Sequence, residues 1–119
     1  MRVRAARGAI LVAEDTADSV LAATGRLLEE LLRGNQVQTE ELISILFTTT
    51  PDLRSAFPAE AARRMGLGLV PLMCASEIPV EGAMESVVRI LMHFHSETPL
   101  PDVTHVYLDG AETLRDDLG

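Results

Sequence analysis

The chain opens on a two-residue alternation. Over Val3 to Val12 (Val3-Arg4-Ala5-Ala6-Arg7-Gly8-Ala9-Ile10-Leu11-Val12), strand geometry puts Val3, Ala5, Arg7, Ala9 and Leu11 on one face. This predicts a first strand that ends near Glu14 and Asp15, with the Arg7 face buried. The spacing then becomes helical: Val20, Leu21, Leu27, Leu28, Leu31 and Leu32 recur three, four or seven apart, Asp15 or Thr16 suits the N-cap, and Gly34-Asn35 supplies the stop. A helix to about Arg33 should therefore cover the sheet. Thr39-Glu40-Glu41 reads as a helical turn before the β-branched run Ile43 to Thr50, which Pro51 closes. Phe57-Pro58 opens a short helix through Ala59 to Met65, with Pro58 at its first position and Gly66 near its end. Val70 to Cys74, Ser86 to His95 and His105 to Leu108 read as three further strands, with a helical turn possible over Ala83 to Val88. Beyond them, Thr113 to Leu118 forms a turn of helix or frays. No repeat or linker interrupts this order. The expectation is one domain over residues 1–119, of mixed α/β (α+β) class, with one long helix on a sheet.

Two charged residues interrupt these strands. Arg7 lies in the first apolar run, and Arg89 lies in Val87 to Met92 with Val87 and Leu91 on its face and Val88, Ile90 and Met92 on the other. A buried guanidinium is costly unless an anion meets it, and its planar fork fits a carboxylate or phosphate oxygen better than a lysine does. Either a bound anion or an internal salt bridge to one of the eighteen carboxylates would satisfy each arginine. The chain has no lysine, so all ten basic residues are arginine, and Arg26, Arg33 and Arg64 read as surface positions.

Composition narrows the partners. A 119-residue chain buries only about two-thirds of the surface its unfolded form exposes. Hydrophobic content is 47% with no Trp, one Tyr and three Phe, so the core must be aliphatic and association between copies is a natural way to complete it. The net charge of −8 argues against nucleic acid and against an anionic membrane surface, so any anion site must be local. A single cysteine rules out an internal disulfide framework and fits a reducing compartment. No stretch has the length of a membrane span, and the N-terminus lacks the apolar run of a signal peptide, so the expected location is the cytoplasm.

Conventional chemistries find little support. His93 and His95 share a strand face but have no third ligand near in sequence, so they read as structural rather than as a zinc site. Cys74 ends an apolar strand without an adjacent His and reads as a packed thiol, free to line a pocket. Thr48, Thr49 and Thr50 have no triad context, and Gly8, Gly66, Gly68 and Gly82 match no phosphate-binding loop. What remains is a set of arginines with Glu77, Tyr107 and Cys74. Such a set can bind and orient a small anion, and it suits a reaction in which the substrate rearranges while the protein supplies geometry and preorganised charge.

Several blocks carry a family resemblance in order along the chain. They are Val3 to Ala9, Phe47-Thr48-Thr49-Thr50-Pro51-Asp52-Leu53, Ala56-Phe57-Pro58-Ala59 with Ala62-Arg63, and Val70-Pro71-Leu72-Met73-Cys74. Glu77, Gly82, Val88-Arg89-Ile90-Leu91, His105-Val106-Tyr107-Leu108 and Leu114-Arg115 continue them. With these blocks the chain resembles the monofunctional chorismate mutases of the trimeric α/β type, which are distinct from the all-helical ones.

The resemblance implies a pseudo-α/β-barrel homotrimer with each active site at an interface between two subunits. It implies an isomerase that converts chorismate to prephenate by a [3,3]-sigmatropic shift in aromatic amino acid biosynthesis, with no cofactor, metal or covalent intermediate. By resemblance, Arg7 and Tyr107 would hold a carboxylate, and Arg89 would contact a carboxylate and the ether oxygen as charge develops there. Glu77, aided by Cys74, would bind the substrate hydroxyl. Phe57, Ala59, Leu72 and Met73 would form the apolar wall. Arg63 and Arg115, with Leu114, would lie near the mouth, from the opposite subunit or a mobile tail. One position departs from the pattern: Glu60 stands where some family members carry lysine. Two other readings fit the same residues. Imine and enamine deaminases of similar trimeric shape also grip a carboxylate with a strand arginine, and a non-catalytic metabolite-binding protein would bind the anion without turnover.

Overall fold

Thr16, not Asp15, caps the long helix: its hydroxyl accepts the Ser19 N–H at 3.1 Å, and α1 runs over Ala17–Gly34. Asp15 instead accepts the backbone N–H groups of Arg54 and Ser55 at 3.0 and 3.1 Å, tying the start of the helix to a loop forty residues on. These hydrogen bonds hold the Asp15 carboxyl below its usual range, with the Arg54 N–H making the largest contribution. At the other end, the Asn35 N–H returns to Leu31 O. One face of α1 buries Val20, Thr24, Leu27, Leu28 and Leu31.

The structure is a computed structural model that describes residues 1–118. Its five strands are β1 (Arg2–Leu11), β2 (Leu42–Thr49), β3 (Leu72–Ser76), β4 (Val87–Ser96) and β5 (Val106–Leu108), forming one sheet in the order β3-β2-β4-β1-β5. The sheet is mixed. β4 runs antiparallel to both β1 and β2, while β5 and β3 pair in parallel at the two edges. The short helix α2 (Ala59–Arg64) precedes β3, and 3₁₀ turns occupy Thr39–Glu41, Leu100–Asp102 and Ala111–Leu118. No helix among the described residues is long and apolar enough to cross a membrane.

Several expected boundaries shift. β1 stops at Leu11 rather than near Glu14, and β3 begins at Leu72 because Pro71 supplies only its carbonyl to the ladder, accepting from Ile45 N at 3.0 Å. Pro58 lies just outside α2 with φ −60°, and Gly66, at φ +85°, ends the turn that follows. Residues 83–86 form no helical turn.

The main correction concerns which face is sealed. α1 packs on the face of Ala6, Gly8 and Ile10, together with Ile45, Phe47, Val88, Ile90, Met92 and Phe94, and this forms the aliphatic core. Gly8 makes the close approach possible: a Cβ there would stand 2.9 Å from Leu27 Cδ1 and 3.0 Å from Val106 O. Arg7 is on the opposite face, which α1 does not cover. Among the described residues, that face carries a small cluster of Ala9, Val87, Tyr107 and Ala111, with Leu11, Met84 and Leu114 packed against it.

Candidate active site

Strand register assembles a row of side chains across the uncovered face. Tyr107 pairs with Ala9, Ala9 with Arg89, Arg89 with Thr48, and Thr48 with Ala75, so one residue from each strand lies in line. The next row holds Arg7, Leu91, Leu46 and Met73. Because Ala9 is small, a hollow of about 220 Å³ opens between the larger side chains, lined by Arg7, Ala9, Leu46, Thr48, Arg89, Leu91 and Tyr107.

Each polar group in this hollow is oriented by a neighbour. The Arg7 guanidinium donates from Nε and Nη2 to Tyr107 Oη at 3.4 and 3.3 Å, while the Arg7 backbone N–H donates to His105 Nδ1 at 3.0 Å. Two residues of one short segment therefore hold the side chain and the backbone of Arg7. His105 titrates below its ordinary range, first because partial burial disfavours the charged ring and then because Arg7 and Arg115 add positive charge nearby. Such a shift keeps Nδ1 able to accept. Glu77 follows the last residue of β3, and its N–H extends the ladder to Thr49 O at 2.8 Å, so alternation turns its side chain onto the Arg89 face. There Thr48 Oγ1 donates to Glu77 Oε2 at 2.6 Å, and Arg89 Nε lies 3.3 Å from the same oxygen.

The start of β4 is clamped, which sets the register of Arg89. Thr50 N donates to Val87 O and Thr50 Oγ1 accepts from Val87 N, both at 3.0 Å. Ser86, at φ +61°, gives its N–H and hydroxyl to Asp52 Oδ2 at 3.0 and 3.2 Å. Burial alone would raise the Asp52 pKa, but hydrogen bonds from Thr50, its own backbone and Ser86 outweigh it and hold the carboxyl low.

The other predicted site residues lie elsewhere in the chain. Alternation turns Leu72 and Cys74 to the α side, where both pack against the core, so Cys74 does not stand beside Glu77 within one chain. Cys74 lines a separate cleft of about 380 Å³ with Phe57, Pro58, Thr49 and Ser76. Phe57 is 75% exposed and available as a wall, whereas Ala59 is 1% exposed and belongs to the core. Met73 is exposed at the sheet edge. Arg63 is exposed and paired with Glu60 at 3.3 Å, and Glu60 also meets Arg64 at 3.7 Å. Leu114 packs beside Tyr107, and Arg115 is exposed on the following turn.

Of the two ways to satisfy the strand arginines, Arg89 shows the internal ion pair, with Glu77, and Arg7 shows a phenol contact. Arg26 and Arg33 pair at the surface with Asp109 and Glu30. His93 Nδ1 lies 3.2 Å from Ser44 Oγ, and among the described residues no three metal-ligating side chains come together. In sequence Thr48 has no triad context and so no place in the site; that place follows from the pairing of Thr48 with Arg89.

Fold and site together define a small mixed α/β protein whose sheet carries a preorganised cationic hollow suited to a small anion. The model of the chorismate mutase type I family matches residues 3–118. Chorismate mutase AroH of Thermus thermophilus is 50% identical over 117 residues, covering 98% of this chain and 96% of that protein. Its counterpart in Bacillus subtilis is 36% identical over 119 residues, covering 99% and 94%. A solved chorismate mutase from Clostridium thermocellum superposes with a TM-score of 0.90 at 45% identity, over 92% of this chain and 97% of that one. The chain belongs to the chorismate mutase type I family.

Proposed function

We propose that the cationic row is one half of the site at which chorismate rearranges to prephenate, and that a neighbouring copy supplies the other half. The chain is a chorismate mutase, an isomerase of aromatic amino acid biosynthesis. Family membership takes the place of the deaminase and binding-protein readings.

The reaction breaks a C–O bond and forms a C–C bond within one molecule, so the protein's task is to select a folded conformer and stabilise the charge that develops on the ether oxygen. Arg7, steadied by Tyr107 and His105, holds a carboxylate. Arg89 meets the other carboxylate and the ether oxygen, where its donors act most strongly in the transition state. Glu77 accepts a hydrogen bond from the ring hydroxyl. The observation that carries this reading is the convergence of Arg7, Arg89 and Tyr107 around the hollow, with Glu77 held against Arg89 and Thr48 on the same face.

The hollow in a single chain is small beside ordinary ligand sites of roughly 300–1,000 Å³. Phe57, Arg63, Leu72, Met73 and Cys74 lie apart from it, at the β3 edge and around α2. A homotrimer that stacks this edge of one copy against the uncovered face of the next would join the two halves and cover exposed Val3, Phe57 and Met73. Arg63 and Arg115 would then guard the entrance. The family match over residues 3–118 supports a single catalytic domain, and the lone Cys74 accords with a cytoplasmic location.

The test is turnover. Purified protein should consume chorismate, followed by loss of its ultraviolet absorbance, and acid should convert the product to phenylpyruvate. Sedimentation equilibrium should give three copies per particle. A folded protein without turnover would overturn the catalytic reading, and an active monomer would overturn the shared site.

A further inference from the structure

The Glu77 carboxylate has to present a defined oxygen to the substrate, yet little backbone structure steadies it. Glu77 sits just past edge strand β3 and leads into residues 77–86, where Ile78 and Val80 are exposed. One backbone hydrogen bond, to Thr49 O, ties it to the sheet. Its side chain is nonetheless well defined in position, because Thr48 Oγ1 donates to Oε2 at 2.6 Å. That distance is in the range of a hydroxyl bound to an ionised carboxylate. Arg89 Nε approaches the same oxygen at 3.3 Å, and among the described residues no hydrogen bond reaches Oε1.

We propose that Thr48 is a positioning residue, whose hydroxyl locks Glu77 Oε2 so that Oε1 is the oxygen offered to the substrate hydroxyl. The inference rests on the site reading above and deepens it. Thr48 is suited to the task by its type and its place. Its branched Cβ restricts χ1, and β2 is interior to the sheet, flanked by β3 and β4, so the hydroxyl sits on a rigid strand. An Arg–carboxylate pair left to itself prefers two parallel hydrogen bonds, one to each oxygen. Without the Thr48 hydroxyl, Glu77 is able to rotate toward that bidentate arrangement and withdraw Oε1 from the substrate. Thr48 thus keeps the Glu77–Arg89 contact on one oxygen. Thr48 acts on the substrate through Glu77.

The test compares Thr48→Val, which keeps shape and removes the hydroxyl, with Thr48→Ser, which keeps the hydroxyl, each alone and combined with Glu77→Gln. Thr48→Val should raise KM for chorismate about tenfold with kcat changed far less, the size expected for one hydrogen bond to a charged group. Thr48→Ser should restore the parent KM, and Thr48→Val should add no further loss in the Glu77→Gln background. Melting temperature serves as the control for folding, and Thr48→Ala replaces the valine variant if that one fails to fold. Parent-like kinetics in Thr48→Val beside an impaired Glu77→Gln would overturn the role of Thr48 and leave the site reading intact. A loss that serine does not rescue, or that persists in the Glu77→Gln background, would also overturn it. An unimpaired Glu77→Gln would remove the site reading itself and the inference with it.

Discussion

Replacing Arg89 with alanine separates what this residue contributes to the fold from what it contributes to the reaction. Its Nε stands 3.3 Å from Glu77 Oε2, with side chains 35% and 20% exposed. At an effective dielectric constant near 20, that separation gives a gross attraction of about 5 kcal/mol. Solvent access and the entropy of holding two long side chains reduce the net contribution of such a pair to about 1 kcal/mol. The variant should therefore fold, with a melting temperature lower by only a few degrees. Its chemistry should suffer far more. A preorganised donor aimed at developing negative charge supplies about 3 kcal/mol, so kcat should fall on the order of 10²-fold. Arg89→Lys, which keeps the charge but not the planar fork, should fall between parent and alanine. The assay is steady-state loss of chorismate absorbance alongside thermal unfolding by circular dichroism. A folded Arg89→Ala protein with kcat within tenfold of the parent would refute the reasoning, as would a loss of activity that merely follows unfolding.

Arg63→Ala should raise KM with kcat nearly unchanged, because a carboxylate clamp at the entrance acts equally on substrate and transition state; comparable losses in both parameters would contradict that division. Gly8→Ala should destabilise the protein by about 1–3 kcal/mol, read from the urea midpoint, since the new methyl meets Leu27, Leu31 and the Val106 carbonyl at 2.9 to 3.0 Å. Acid should weaken the fold through His105. Its folded pKa is below the unfolded value near 6.5, so the unfolded state binds more protons in that window, and the contribution present above it is lost as pH falls. His105→Gln, which cannot gain a proton, should flatten the fall in melting temperature between neutral and mildly acid pH; an unchanged slope would exclude the partly buried His105 ring as its source.

Alternation and helical spacing are written in the covalent geometry of the chain, and they located much of this molecule. Arg7 and Arg89 stood out because a charge within an apolar strand is legible without any partner in view, and α1 was bounded by a capping threonine at its start and by Asn35 just past Gly34 at its end. The blocks around Phe47, Phe57 and Tyr107 were specific enough to indicate the family. The wrong face of β1 was read as sealed, although Gly8, the residue that admits α1, was in plain sight. Val3, Ala5, Ala9 and Leu11 are as apolar as the face that α1 covers, and a strand carries no local mark of which side a distant helix will choose. The same holds for Thr48. Its hydroxyl acquires meaning only when β2 pairs with β4 and brings it opposite Arg89, while β3 delivers Glu77 from the other side. Sequence alone determined which side chains could carry the chemistry and along which elements they alternate. Tertiary structure decided which of them meet, since strand order and register depend on hydrogen bonds between segments far apart in the chain, and a one-residue slip would have sent each of these side chains to the opposite face.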